Sequence, residues 1–187
     1  QLLAAGFAIC GVDVGESFGS PTGTHIYNGF YKHVVNTYGL DPKASLLPQS
    51  RGGLMLLNWA SENPHRVACV AGIYTVCNIE SYPGLDRACG AYKMTAEALR
   101  ANLDIYSPVE SIKPLVDAQV PLLFIHGDSD TVVPLEKNAG ELVKRAQALG
   151  GNARLITVPG KGHEVCPEFF HSEDFIQFLL AQGKPLK

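Results

Sequence analysis

Hydrophobic and polar positions fall in blocks along this chain. Short continuous apolar runs end in clusters of Gly, Asp, Ser or Pro, and between them lie longer stretches with apolar residues three and four apart. The first pattern predicts strands buried on both faces, the second amphipathic helices. Strands are expected over 6–14 (GFAICGVDV), 44–50 (ASLLPQS), 66–78 (RVACVAGIYTVCN), 120–125, where an apolar run leads into HGDSD, and 153–158. Helices are expected over 20–40, with Ile26, Phe30 and Val34 at helical spacing and Gly39 as its stop, and over 52–64, closed by Pro64. Further helices are expected over 95–103, over 107–119 with a break at Pro114, over 135–151 with Gly150-Gly151 closing it, and over 167–182. Strand–helix alternation of this kind predicts the α/β class, a doubly wound and mostly parallel sheet. No repeat or linker divides the chain, so one domain over 1–187 is expected, with 79–106 and its Tyr82-Pro83-Gly84 turn as a small lid or insertion.

Composition narrows the function classes. The chain has 187 residues, 46% of them hydrophobic, 18% charged, with a net charge of −3. That suffices for a globular core and offers no basic field for nucleic acid or an anionic membrane. The apolar runs are too short for a membrane span. No GxGxxG loop follows the first expected strand, so no dinucleotide cofactor is expected. The opening QLLAA reads as the last turn of a helix, and localisation is not legible. Five cysteines stand at 10, 69, 77, 89 and 166, none in a zinc or CxxC spacing. Cys10 and Cys69 read as buried hydrophobes inside strands, whereas Cys77–Cys89 or Cys77–Cys166 bridges stay open.

In sheets of this class, functional residues gather at the carboxyl ends of strands. Three expected strands are followed by Ser50-Arg51-Gly52-Gly53, by HGDSDTVVP containing Asp128 and Asp130, and by PGKGH ending in His163. Each residue alone has an ordinary reading, as a helix cap or a loop residue. Together they stand in the order Ser, acid, His, each after its own strand. His126, Asp128 and Asp130 also read as a metal cluster, without a second ligand group to complete it. Glu16, Ser17 and Phe18 after the first strand, and Cys77, Asn78, Ser81 and Tyr82 after the third, are candidate pocket residues at the same edge. Trp59 reads as core, and His25, His33, His65 and His171 as surface residues.

PQSRGG, HGDSDTVVP and GKGH resemble the nucleophile elbow, acid loop and histidine loop of the α/β-hydrolase superfamily. The resemblance runs through the whole chain and is nearest to the dienelactone-hydrolase-like and prolyl-oligopeptidase-like branch. It implies Ser50 as nucleophile, His163 as base and then acid, and Asp130 as the acid of the triad, selected over Asp128 by the HGxxDxxVP pattern. It implies the Arg51 backbone N–H as one oxyanion donor, with Gly52 and Gly53 as the small neighbours of a crowded turn. Pro48 stands where the elbow usually has glycine. The implied activity is ester hydrolysis of small to medium acyl or carbohydrate esters, without metal or cofactor. The alternative is a catalytically impaired binding module.

By the same resemblance the chain is N-terminally shortened. The superfamily's third strand, whose following loop supplies the second oxyanion donor, is absent, which is expected to leave a slot beside 44–49. The first strand could move in and pair with 44–49, a second copy could complete the sheet as a homo-oligomer, or a separate segment could fill the slot. A replacement donor is expected from the backbone of 15–17.

Overall fold

The computed structural model describes residues 1–183, and the expected boundary at 187 lies outside them. Four strands form one sheet in the order β1-β2-β3-β4: β1 Ala44–Leu46, β2 Val67–Ile73, β3 Leu122–Gly127 and β4 Ala153–Val158. All three pairings are parallel. Before β1 comes α1, Pro21–Tyr38, which ends at Gly39 with φ 63°. α2, Gly52–Glu62, links β1 to β2. Five short helices lie between β2 and β3: α3 Leu85–Tyr92, α4 Ala96–Arg100, α5 Leu103–Tyr106, α6 Pro108–Ser111 and α7 Lys113–Asp117. Pro114 sits in the first turn of α7, so the break expected in 107–119 is a full restart. α8, Ala139–Ala148, precedes β4, and α9, Pro167–Phe170, and α10, Glu173–Gln182, follow it. The expected final helix divides at Ser172, whose hydroxyl caps α10 by accepting from the Phe175 amide.

Alternation along the strands divides the core into two layers. Leu46, Val70, Leu122 and Phe124 face α2, α6, α7 and α8. Cys69, Ala71, Ile73, Leu123 and Ile125 face α9 and α10. Trp59 is fully buried on the first side, with the rings of Tyr27 and Tyr31 centred 4.9 and 5.2 Å away. A third cluster joins Leu54, Val76 and Val133 to Leu85, Ala88, Tyr92 and Leu99. Residues 79–106 are therefore a helical excursion packed on the body.

The expected strand at 6–14 does not form. Residues 8–14 are extended without secondary structure and make no backbone–backbone hydrogen bond among the described residues. A cavity of about 380 Å³, lined by Phe7–Val12, Tyr27, Phe30 and 44–47, separates this segment from β1. A strand exists only against a partner ladder, and this segment pairs with none among the described residues. Ile9 and Val12 stay exposed, and so does Cys10, which the pattern had placed in the interior. No helix among the described residues is long and apolar enough to cross a membrane.

Phe124 is fully buried on β3, directly beside Gly72 of β2, where an added Cβ would lie 2.5 Å from its ring. Phe124→Ala is expected to lower unfolding free energy by about 3–5 kcal/mol. Urea denaturation followed by Trp59 fluorescence measures it, and a loss below about 1 kcal/mol would show that the first layer does not depend on this ring.

Candidate active site

β1 extends past its last strand residue through a bridge between Gln49 and Ile73. The Pro48 carbonyl accepts from the Ile73 amide at 2.9 Å, and the Ser50 amide donates to the Ile73 carbonyl at 3.1 Å. Pairing thus carries through Pro48, and the proline does not disturb the turn. Ser50 then adopts φ 50°, a left-handed conformation that costs a non-glycine residue free energy. Its carbonyl holds the turn by accepting from the Gly53 and Val76 amides. Gly53 is required by close approach, since a Cβ there would lie 2.2 Å from the Val76 carbonyl. Gly52 has open space instead, so the crowding expected at both positions reduces to one. α2 starts immediately, and the Arg51 amide at its N-terminus has no hydrogen-bond partner among the described residues.

The three motif residues meet. Ser50 Oγ lies 2.8 Å from His163 Nε2, and His163 Nδ1 lies 2.8 Å from Asp130 Oδ2. The Asp130 side chain is fully buried, and its Oδ1 accepts from the Val132 and Val133 amides at 3.0 and 2.8 Å. Asp128 is exposed and accepts from the Ser129 hydroxyl and the Gly160 amide, so it clamps the histidine loop, while His163 bonds Asp130. A serine hydroxyl bonded to an imidazole, itself backed by a buried carboxylate, can lose its proton as it attacks an electrophilic carbon.

Aromatic packing holds the imidazole. The Tyr74 ring meets His163 edge-on with centroids 4.6 Å apart, and Phe169 and Phe170 back Tyr74. Gln49, adjacent to Ser50, donates its side-chain amide to the Tyr74 hydroxyl. Burial raises the Tyr74 pKa, with the Gln49 bond acting the other way. Beside His163, Lys161 pairs with Glu168 at 3.0 Å and ties this loop to α9. The Glu168 carboxyl is held down to about 2, first by its backbone hydrogen bond and then by Lys161.

The weaker pocket expectations divide. Glu16 reaches the neighbourhood of Ser50 by pairing with the Arg51 guanidinium at 2.7 Å, in an exposed bridge of small energetic weight. Phe18 adopts φ 47°, and its carbonyl accepts from the Tyr92 hydroxyl at 2.7 Å. Tyr82 is half-buried against the third cluster. Ser17 and Cys77 need correction. Ser17 is buried against α1, where a Cβ on Gly23 would lie 2.4 Å from its hydroxyl. Cys77 is fully buried in the first core layer, and burial pushes its thiol pKa up. Position after a strand does not set which way a side chain points, and both of these turn inward.

All five cysteines are free, and Cys77 and Cys166 lie in opposite layers of the core. His25, His33, His65 and His171 are exposed. Among the described residues, no group of three or more His, Cys, Asp or Glu is arranged to hold a metal ion. His126, read from sequence only as a candidate metal ligand, is fully buried at the site, with Nε2 3.2 Å from Asp130 Oδ2 and 2.9 Å from the Val133 carbonyl. Its signal was the histidine closing an otherwise apolar strand, four residues before the acid.

Comparison with known proteins bears on the fold and the family. The chain spans 96% of its length and 76% of the other in matching a truncated carbohydrate esterase from gut microbiota, with a TM-score of 0.75 and 19% identity. It matches the acylaminoacyl peptidase of Pyrococcus horikoshii with a TM-score of 0.66 and 19% identity, over 93% of this chain and 30% of that one. It is 37% identical over 67 residues to a Synechocystis sp. protein whose name is that of a non-heme chloroperoxidase, 36% of this chain and 21% of that one. The chain thus spans about a fifth of that curated relative and under a third of the peptidase. These folds are α/β-hydrolase folds, as expected for a parallel four-stranded sheet with helices on both faces. The family model for the prolyl oligopeptidase family matches residues 42–180, from just before β1 into the last helix and across Ser50, Asp130 and His163, and the chain belongs to that family of serine hydrolases.

Proposed function

We propose that this protein hydrolyses esters of small to medium acyl groups or of carbohydrates, through an acyl-enzyme on Ser50. The observation that carries the reading is the continuous relay Ser50–His163–Asp130, with both links at 2.8 Å. His163 Nε2 takes the hydroxyl proton as Ser50 Oγ attacks the ester carbonyl, and returns it to the departing alcohol. The unpartnered Arg51 amide at the α2 N-terminus serves as one oxyanion donor. Water then attacks the acyl-Ser50 carbonyl with His163 again as base, releasing the acid and regenerating the serine.

Turnover of p-nitrophenyl acetate and butyrate tests the reading. Ser50→Ala is expected to lower kcat/KM by about 10³-fold or more, leaving only what binding and the oxyanion donor supply. A wild type that is as inactive as Ser50→Ala and unlabelled by a fluorophosphonate probe would leave the non-catalytic binding module as the better reading.

Gly127→Ala provides a second test away from the relay atoms. A Cβ at 127 would lie 2.0 Å from the Lys161 carbonyl, so the loop carrying His163 has to retreat. The variant is expected to lose about 1–3 kcal/mol of stability. Its kcat should fall at temperatures where it stays folded, as circular dichroism verifies. Unchanged kcat would mean that the loop position does not govern the base.

A further inference from the structure

Asp130 is served by two imidazoles, and only one belongs to the relay. His126, the next-to-last residue of β3, places Nε2 3.2 Å from Asp130 Oδ2 and 2.9 Å from the Val133 carbonyl. Both of those atoms are acceptors, so Nε2 carries the proton and divides it between them. Nδ1 is buried without a partner. A second proton there would place an unpaired charged N–H in the interior. Burial accordingly holds the His126 pKa below its ordinary value, against the favourable pull of the Val133 carbonyl and Asp130. The titratable groups acting on it are Asp130 and His163, and Tyr74 faces the His163 ring.

We propose that His126 is a positioning residue for the relay, a neutral imidazole whose Nε2–H orients Asp130 Oδ2 and shares its charge with His163. The inference rests on the serine-hydrolase reading of Ser50. Its physical content lies in the carboxylate's four donors. Two backbone amides fix Oδ1, and two ring N–H groups divide Oδ2. With Oδ1 pinned, the remaining freedom of the carboxylate is rotation of Oδ2, and His126 opposes that rotation. The bond to His126 is longer than the bond to His163, 3.2 against 2.8 Å. When His163 becomes an imidazolium, Oδ2 turns its charge toward it. The His126 proton then stays satisfied by the Val133 carbonyl, so the transfer strands no buried donor. The divided proton lets Asp130 answer a change of charge on His163 without moving.

Two variants separate positioning from packing. His126→Phe keeps a ring and removes the donor, whereas His126→Gln returns an amide N–H near the place of Nε2. With p-nitrophenyl butyrate, His126→Phe is expected to move the acid limb of kcat/KM upward by about 0.5–1 pH unit, because Oδ2 then gives its whole charge to His163. Its kcat should fall about tenfold with KM unchanged, as expected for a residue that does not touch substrate. His126→Gln should restore the wild-type limb. In the resting wild type, imidazole ¹⁵N NMR should report His126 as the neutral Nε2–H form at neutral pH. An acid limb that stays in place in His126→Phe, whatever happens to kcat or stability, overturns the proposal, as does a His126 found protonated at Nδ1. Absence of fluorophosphonate labelling in the wild type would instead remove the serine-hydrolase reading and the positioning role with it, and the NMR tautomer would still decide the state of the ring.

Discussion

A carboxylate buried away from water is tolerated only when its lone pairs are filled. Asp130 meets that condition with two amides on one oxygen and two imidazole nitrogens on the other. The four donors come from three places: the end of β3, the turn at 132–133 and the loop after β4. Satisfying the charge therefore fixes those three segments against one another. Other contacts serve the same constraint. Gly127 lets the Lys161 carbonyl lie against the strand, and Asp128 holds the Gly160 amide. The bond that helps satisfy the buried Asp130 carboxylate is the same one that holds His163 beside Ser50.

The Ser50 side is organised by a different means, backbone strain held by hydrogen bonds. Ser50, Tyr74 and Phe18 are non-glycine residues at φ 50°, 34° and 47°, and each contacts the site or a neighbour of it. Such conformations persist only where surrounding bonds over-determine them. The Ser50 backbone bonds Ile73 and Val76, the Tyr74 amide donates to the Ile125 carbonyl, and the Phe18 carbonyl accepts from Tyr92. Residues 79–106 take part in this through Tyr92, so the excursion suggested as a lid also braces the segment that carries Glu16 and Phe18.

How much of this could be read from residues alone follows from which physical signals are local. The Ser, Asp and His positions were legible because each follows an apolar run that becomes a strand of the sheet, β1, β3 and β4 in turn. The interior direction of Cys77 and Ser17 was not legible, because packing sets it: Cys77 enters the first core layer and Ser17 lies against Gly23 of α1. GFAICGVDV has the composition of a strand and lacks only a neighbour, which periodicity does not report. His126 was weighed as a metal ligand because sequence shows its nearness to Asp128 and Asp130 but not that Asp128 is exposed on Gly160 while Asp130 is buried. Burial made the difference between a cluster of ligands and a relay with a supporting ring.

The position of β1 explains why the end of β2 matters more than its length suggests. β1 spans three residues and has β2 on one side, with the cavity along 44–47 on the other. Ser50 is consequently located from one direction. Ile73 takes and gives the hydrogen bonds that carry pairing through Pro48, the Val76 amide caps the turn at Ser50, and the Val76 carbonyl excludes any side chain at Gly53. Tyr74, between them, packs on His163 and accepts from Gln49. Residues 73–76 thus hold Ser50 by the backbone and His163 by a ring, within four consecutive positions. A change on the cavity side reaches the relay through β1 itself, whereas a change at 73–76 displaces both reacting groups at once, and rigidity at the site is governed by the second.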